Sequence, residues 1–266
     1  MDLRFTLIGL IIGFLIGLTG MGGGSLMTPV MILVMGVKPV IAVGTDLAYG
    51  AITRFFGAAS HLRQGTVHRR SAYWLALGSV PATILGVGLT SAIKRSDPAF
   101  VNVFLLHAIA WVLIFVGVVM LAKPVLLATV NRLGSRMEAD PRDRMMALGD
   151  RRPWMLSIIG AATGFLVGLT SIGSGTLIIV ALLFLYPRWE SKELVGTDVF
   201  HAAMLVSAAS AAQFFAGNVN VPMMLSLLLG SIPGVLLGSR LAAGFPETAL
   251  RLSLASVLLI SGAKLL

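Results

Sequence analysis

Cysteine, charge and histidine are all scarce in this chain of 266 residues. The absence of cysteine excludes disulfides, thiol redox chemistry, iron–sulfur clusters and thiolate zinc sites. Charged residues make up only 12% of the chain, which is about half the share found in soluble domains. The four histidines are scattered along the sequence. This argues against a dedicated metal site, and we expect no cofactor.

Long apolar runs take the place of charge. Apolar residues are 57% of the chain, and the mean hydropathy is +0.93. Stretches of about 18 or more residues with almost no charge are long enough to cross a bilayer as helices. The sequence therefore predicts an all-α polytopic bundle in a lipid bilayer. The segments are Phe5–Met35, Ile41–Ser60, Ala72–Ser91, Phe100–Ala122, Trp154–Tyr186, Leu194–Ala216, Pro222–Ala243 and Thr248–Leu266.

An internal repeat organises these eight segments into two sets of four. Gly13–Leu26 returns as Gly164–Leu177, and Val43–Asp46 returns as Val195–Asp198. Duplicated units in a very apolar chain are typical of transporters whose site lies between the halves. We expect a first transmembrane repeat over 1–122, a linker over 123–153 and a second repeat over 154–266.

The net charge of +9 is concentrated in the linker. Seven of the 20 Lys and Arg residues lie between Lys123 and Arg152. Basic residues concentrated beside membrane spans mark the cytoplasmic side, so we expect a cytoplasmic linker in a multi-pass protein of the bacterial-type inner membrane. No basic patch alternates with aromatic residues, which argues against a nucleic-acid partner.

The first segment of each repeat is too long for one simple span and carries a glycine cluster near its middle. Phe5–Met35 would form a helix of roughly 46 Å, against a hydrocarbon core of about 30 Å. Two half-helices joined by an extended turn are the economical interpretation. A broken helix can still cross the membrane, or it can fold back. The Lys and Arg residues divide 12 to 7 between the two sides if both segments cross, and 14 to 5 if both fold back, with Arg54 inside a span. Folding back would make the halves inverted, and the charges favour it slightly.

The two glycine clusters are the first candidates for a binding site. Glycine lets the backbone leave helical dihedrals. A helix that restarts inside the membrane presents free amides and the positive end of its dipole, which bind oxyanions. The alternative is that the glycines only allow close helix packing, which we expect for Gly9, Gly13 and Gly17 and for Gly230, Gly234 and Gly238. The predicted substrate-binding residues are Thr19, Gly22, Gly23, Gly24, Ser25, Thr170, Gly173, Ser174, Gly175 and Thr176.

Two carboxylates occupy equivalent places in the repeats. Asp46 and Asp198 each follow a Gly-Thr pair just inside a segment, and His201 follows Asp198 on the same helical face, where Tyr49 follows Asp46. Carboxylates inside a membrane cost about 2.5–3.5 kcal/mol to insert and suggest function. We expect Asp46, Asp198 and His201 to carry a coupling proton or to bind sodium. The alternative is that each Gly-Thr-Asp begins a helix and caps its amides.

Arg54 lies inside the second segment and has Val206, not a basic residue, as its counterpart. It follows Asp46 by about two helical turns. Two interpretations stay open: Arg54 pairs with Asp46, or it contacts an anionic substrate directly. We include it among the candidate substrate-binding residues.

The motifs resemble those of the sulfite exporter TauE/SafE family, also called the toluene sulfonate uptake permease family. The resemblance rests on Gly17–Pro29, Ala42–Leu47 and Gly65–Val67 in the first repeat and on Val195–Ala202 and Gly217–Val219 in the second. It covers nearly the whole chain. It implies an inner-membrane carrier of small sulfur-containing oxyanions, such as sulfite or organosulfonates, often in the export direction.

We therefore predict a secondary transporter, and not an enzyme, that works by alternating access with the anion bound at paired half-helix N-termini. Its partners would be the small anionic substrate, the bilayer and a coupling proton or sodium ion. The alternative function is a cation transporter or channel that uses Asp46 and Asp198. The sequence gives neither the oligomeric state nor the particular anion.

Overall fold

A computed structural model describes residues 3–19, 24–137, 152–186, 189–242 and 247–266. These residues form ten α-helices and no strand, so the all-α prediction is confirmed for the part of the chain that is described. The helices are α1 (Leu3–Thr19), α2 (Gly24–Leu33), α3 (Pro39–Arg63), α4 (Arg69–Ser96), α5 (Phe100–Met137), α6 (Pro153–Thr170), α7 (Thr176–Leu185), α8 (Ser191–Phe215), α9 (Val221–Ala242) and α10 (Glu247–Leu265).

Local sequence signals explain where several helices begin and end. Prolines occupy the first position of α3 and of α6, where a missing amide costs nothing. A capping box formed by Glu190 and Glu193 begins α8. Gly65 and Gly217 have positive φ values of 69° and 68°, and this backbone conformation turns the chain after α3 and after α8.

Six of the ten described helices are long and apolar enough to cross a membrane: α4, the Phe100–Ala122 part of α5, α6, α8, the Val221–Leu241 part of α9 and the Thr248–Leu265 part of α10. The helices α1 and α7 are apolar but shorter. Apolar side chains cover the outside, including Phe55 (66% exposed), Trp111 (62%) and Phe215 (89%). Threonine, serine and the two carboxylates lie inside. This arrangement fits a protein whose surroundings are lipid.

The boundary predicted for the linker falls within a helix. The apolar part of α5 ends at Ala122, as expected, but the helix itself continues to Met137. Residues 138–151 lie outside the described residues. The predicted linker 123–153 is therefore helical in its first half.

Helices from different repeats pack most extensively against each other, in the pairs α1–α9 and α4–α6. Glycines line both contacts. A Cβ added to Gly13 would lie 2.6 Å from the Cα of Ser231, and one added to Gly164 would lie 2.6 Å from the Cα of Ser79. Gly9 and Gly17, and likewise Gly230, Gly234 and Gly238, meet the partner backbone in the same way. The packing interpretation of these regularly spaced glycines is confirmed.

The registers of these contacts give the helix directions. Along α1, Gly9 and Gly13 meet Leu227 and Ser231 of α9 in rising order, so these two helices run parallel. The same rising order pairs α4 with α6.

The equivalent helices of the two repeats, in contrast, run antiparallel. Gly50 and Gly57 of α3 meet Val206 and Val199 of α8 in falling order. In the same way, Gly117 of α5 meets Leu259 of α10, and the later Gly262 of α10 meets the earlier Ile114 of α5.

Each repeat also holds a loop of the other repeat. The Thr45 hydroxyl accepts a hydrogen bond from the Asn220 amide at 3.0 Å, and the Thr197 hydroxyl accepts one from the His68 amide at 3.0 Å. The glycine before each threonine leaves room for the loop, because a Cβ on Gly44 would meet the backbone of Asn218. The Gly-Thr pairs therefore fasten α3 and α8 to the loops that precede α9 and α4.

Substitution Gly78→Ala tests the close approach of α4 and α6. The new methyl group would meet the backbone of Ser157, whose Cα would be 2.9 Å away. We expect a loss of roughly 1–3 kcal/mol of stability, as for other overpacked positions, measured as a lower thermal unfolding midpoint in detergent. The control is Gly88→Ala in the same helix, because no atom lies within 4 Å of a Cβ there. Equal midpoints for the two variants would contradict the close packing.

Substitutions Thr45→Val and Thr197→Val test the hydrogen bonds between these threonines and the loops of the other repeat. Valine keeps the shape of threonine but leaves the amides of Asn220 and His68 without their acceptor. We expect each change to lower stability by about 0.5–1.5 kcal/mol and the two losses to add, since the sites are separate. The control is Thr53→Val, because the Thr53 hydroxyl bonds only to carbonyl oxygens of its own helix. A control that loses as much stability would count against the loop bonds.

Candidate functional site

The second glycine cluster interrupts its helix inside the bundle. Helix α6 ends at Thr170, α7 begins at Thr176, and the residues between them are not helical. Ser171 has a φ of 64° and Gly173 a φ of 99°. A left-handed serine is uncommon, and such residues often mark functional sites. We call residues 171–175 the second break.

The first cluster is described only in part. Helix α1 ends at Thr19, and α2 begins at Gly24. The predicted site residues Gly22 and Gly23 lie outside the described residues, and Thr19 and Gly24 are described only as the last residue of α1 and the first of α2. Ser25, in the first turn of α2, is buried.

Some backbone amides at the start of α7 already have partners. The Leu177 amide bonds to the carbonyl oxygen of Gly173 at 3.3 Å, and the Ile179 amide bonds to that of Gly175 at 3.0 Å. Of the first four amides of α7, those of Thr176 and Ile178 have no backbone partner among the described residues. The hydroxyl of Thr170 donates to the carbonyl of Leu166 within its own helix at 2.8 Å.

Asp46 joins the two repeats at the second break. Its Oδ2 accepts hydrogen bonds from the Thr28 hydroxyl of α2 and from the Ser171 hydroxyl, both at 2.7 Å. Its Oδ1 is buried and has no hydrogen-bond partner among the described residues. Neither Thr28 nor Ser171 is among the site residues predicted from the sequence. Thr28 could have been singled out because it is a polar residue within the short apolar α2.

Asp198 is equally buried but differently surrounded. It is 4% exposed, its Oδ1 has no partner within the described residues, and no described side chain donates to it. Its Oδ2 lies 3.6 Å from the point where a Cβ on Gly175 would be. Gly175 is the residue that precedes α7. The carboxylate therefore lies beside the N-terminal end of α7.

His201 contacts the opposite repeat. Its Nε2 lies 2.8 Å from the Ser79 hydroxyl of α4, and its Nδ1 is buried without a partner among the described residues. Tyr49, the counterpart of His201, lies next to Ser231, the counterpart of Ser79. Each repeat therefore contacts a serine of the other repeat at an equivalent position. The contacting group is the imidazole of His201 in the second repeat and the phenol of Tyr49 in the first.

Arg54 lies among these groups without forming an ion pair. Its strongest electrostatic partner is Asp198 of the other repeat, followed by Asp46, and its charge also acts on His201. No salt bridge joins it to either carboxylate in the described part of the chain. The direct pairing of Arg54 with Asp46, one of the two interpretations of the sequence, is not observed.

The Gly-Thr-Asp motifs do not begin helices. Helix α3 begins at Pro39 and α8 at Ser191, so each aspartate lies about two turns inside its helix. The capping interpretation of these motifs is wrong in that form. Each threonine does accept a bond from a backbone amide, but that amide belongs to a loop of the other repeat.

The second break thus lies between two buried carboxylates. Its first residue, Ser171, bonds to Asp46, and its last, Gly175, lies against Asp198. Ser174 within it is 1% exposed. Buried hydroxyls, the N-terminal amides of α7 and two carboxylate oxygens without a partner among the described residues lie at or beside the second break, and the charge of Arg54 acts on both carboxylates. The arrangement can bind a small ion and can hold or release a proton.

Known proteins with similar sequences bear the name probable membrane transporter protein. The chain is 40% identical to the probable membrane transporter protein YjnA of Bacillus subtilis, over 100% of both chains. It is 26% identical to the probable membrane transporter protein YunE of the same organism, over 89% of this chain and 85% of that one. It is 24% identical to the probable membrane transporter protein MJ0441 of Methanocaldococcus jannaschii, over 96% and 92%. No solved structure gives a significant match.

A family model extends this similarity to the whole bundle. The model of the sulfite exporter TauE/SafE family matches residues 5–265. The match includes both repeats, the second break, the two carboxylates and Arg54. The resemblance suggested by the paired motifs is confirmed: the chain belongs to the sulfite exporter TauE/SafE family, and it is a multi-pass membrane transporter.

Proposed function

We propose that the chain is a secondary transporter of small sulfur-containing oxyanions, sulfite or an organosulfonate, that exports them by alternating access. The observation that best supports this proposal is the position of the second break between the two carboxylates. Its Ser171 bonds to Asp46, and its Gly175 lies against Asp198. Irregular backbone within a membrane is tolerated only where it is buried in protein or lines a cavity. In many transporters, such breaks form the substrate site.

The chemistry of the second break suits a small oxyanion. The amides of Thr176 and Ile178, which have no backbone partner among the described residues, lie at the positive end of the α7 dipole, which favours negative charge. Ser174 adds a buried hydroxyl, and Arg54 adds a positive charge from the other repeat. The sulfite dianion and sulfonates offer several acceptor oxygens and no hydrogen-bond donor, which matches a site made of amides, a hydroxyl and a guanidinium. We propose that Thr19, Gly22, Gly23, Gly24 and Ser25 form the matching half of the site.

Alternating access requires two halves that can exchange roles. We propose that the repeats are inverted with respect to each other and that both broken segments fold back. The antiparallel registers of α3 with α8 and of α5 with α10 support this, because a two-fold axis perpendicular to the helices reverses every equivalent helix.

Contacts between loops support the same topology. His68, before α4, lies 3.2 Å from Glu193 and stacks on Trp189, before α8. At the opposite end of α4, Lys94 donates to Asn218 at 2.6 Å. These contacts support a topology in which the loop before α4 lies on the same side as the loop before α8, as expected if both segments fold back. That topology puts 14 of the 20 Lys and Arg residues on one side, which we assign to the cytoplasm of an inner-membrane protein.

A second candidate function is cation transport. The observation that favours it is the pair of buried aspartates, each with one oxygen that has no partner among the described residues. Carboxylate and hydroxyl oxygens also suit sodium, and unwound backbone carbonyls add further ligands in other transporters.

Flux measurements separate the two functions. The purified chain in proteoliposomes is loaded with labelled sulfite or with labelled sodium, and the efflux of each is followed. We expect sulfite efflux well above that of protein-free vesicles, because the break presents amides and Arg54 to an anion. Sodium efflux without any sulfite efflux would support the cation transporter.

Substitutions Gly23→Val and Ser174→Val test the break itself. These are matched positions of the two clusters, and a branched side chain would fill the space left for an anion and restrict the backbone. We expect sulfite efflux to fall by at least about tenfold in each variant, since positioning errors of this kind commonly cost that much. The control is Gly88→Val, on the open face of α4, with membrane insertion checked for all three. Unchanged efflux in the two break variants would remove the break from the site.

A further inference from the structure

We infer that Asp198 acts as an internal anion at the place that the transported anion takes, so that the transported anion binds only together with a proton on Asp198. This inference deepens the proposed function and rests on it. It assigns different roles to the two equivalent aspartates, and it makes the coupled ion a proton that travels with the substrate.

Two positive groups act on Asp198. One carboxylate oxygen lies against Gly175, at the N-terminal end of the ten-residue helix α7. Arg54, which has no ion-pair partner among the described residues, has Asp198 as its strongest electrostatic partner. A helix N-terminus and a guanidinium are the two groups that would attract an oxyanion here. Asp198 already lies against the first of these groups and interacts electrostatically with the second.

Asp198 is not held in place by other hydrogen-bond donors in the described part of the chain. No described hydroxyl or amide donates to it, and its Oδ1 is buried without a partner among the described residues. A buried carboxylate with so few partners depends on the nearby positive groups for its negative charge. If an anion takes over those groups, the charged carboxylate loses them and gains a like charge nearby. Protonation of Asp198 removes that conflict.

Asp46, in contrast, is held by hydrogen bonds. Its Oδ2 accepts two short hydrogen bonds, from Thr28 of α2 and from Ser171 of the second break. Neither hydroxyl has a counterpart at Asp198, because Ile179 and Gly20 stand at the equivalent positions of the repeats. Asp46 is therefore a positioning residue, which holds α2 and the second break together while the anion enters and leaves.

Few other groups can titrate at this depth. Helix α3 brings Asp46, Tyr49 and Arg54 toward Asp198, and α8 itself brings His201. The helices α6 and α7 contain no titratable side chain, and α4 has none between Tyr73 and Lys94. Arginine stays charged, so His201 is the main rival for the proton. Its Nε2 is engaged with Ser79, whereas its Nδ1 is free of described partners.

The proton balance follows directly. As the anion binds, one proton passes from water to the Asp198 carboxylate, and the anion takes over from Asp198 the interaction with Arg54 and with the positive end of α7. On the other side of the membrane, the anion leaves, the proton returns to water and Asp198 regains both partners. One proton therefore moves in the same direction as each anion.

The experiment measures methanesulfonate binding to the purified full-length chain by calorimetry, from about pH 5 to about pH 9. A sulfonate has no group that titrates in this range, unlike sulfite, so any pH dependence belongs to the protein. For the natural chain we expect a constant Kd at low pH that rises by about tenfold per pH unit once Asp198 ionises, because one proton is linked to one anion.

Three variants locate the proton. Asp198→Asn should bind with a Kd that no longer changes with pH. The matched control, Asp46→Asn, should bind more weakly but keep the tenfold slope. His201→Gln should keep the slope as well. If Asp198→Asn keeps the slope, or if His201→Gln loses it, the inference is wrong while the proposed function stands.

A second measurement needs no variant. In weakly buffered solution, saturating the natural chain with methanesulfonate should take up about one proton per anion on the rising part of the Kd profile. Uptake near zero over the whole pH range overturns the inference. If neither methanesulfonate nor sulfite binds at any pH, the proposed function itself fails, and the inference fails with it.

Discussion

Backbone groups that leave a helix inside lipid must find partners within the protein, since no water can satisfy them there. This constraint explains how the two repeats are joined. In the second break, the Ser171 hydroxyl bonds to Asp46 of the other repeat. At the ends of the bundle, Thr45 and Thr197 accept bonds from loop amides of the opposite repeat. Each of these bonds joins one repeat to the other, so neither repeat can form them alone.

Glycine serves this constraint in two different ways. Along α1, α4, α6 and α9, regularly spaced glycines bring helix backbones of opposite repeats into contact, as small residues do in other membrane proteins. In the second break, Gly173 instead allows a positive φ, and the helix stops. The distinction matters for the proposed function, because only the second use interrupts a helix and leaves the first amides of the next helix outside its regular bonding.

The two repeats differ in the groups around their equivalent carboxylates. Asp46 and Asp198 are equivalent in sequence, yet among the described residues only Asp46 accepts bonds from hydroxyls. Tyr49 stands where the second repeat has His201, and Arg54 has no basic counterpart. In the proposed carrier, equivalent halves are enough for the alternation between two states. The unequal charged groups therefore fit the proposed roles in binding and coupling better than a role in the motion.

The sequence by itself determined the helical class, the duplication, the packing glycines and the family, because long apolar runs and repeated motifs are local properties that lipid makes decisive. It also pointed to Asp46, Asp198 and His201 as buried polar groups. Only the tertiary structure decided their partners. Thr28 and Ser171 are 18 and 125 residues from Asp46 in the chain, and Ser79 is 122 residues from His201. The same holds for the Gly-Thr-Asp motifs, which resemble helix starts locally but lie two turns inside helices and bond to loops of the other repeat. No periodicity can reveal such contacts, since they depend on how one repeat is turned against the other.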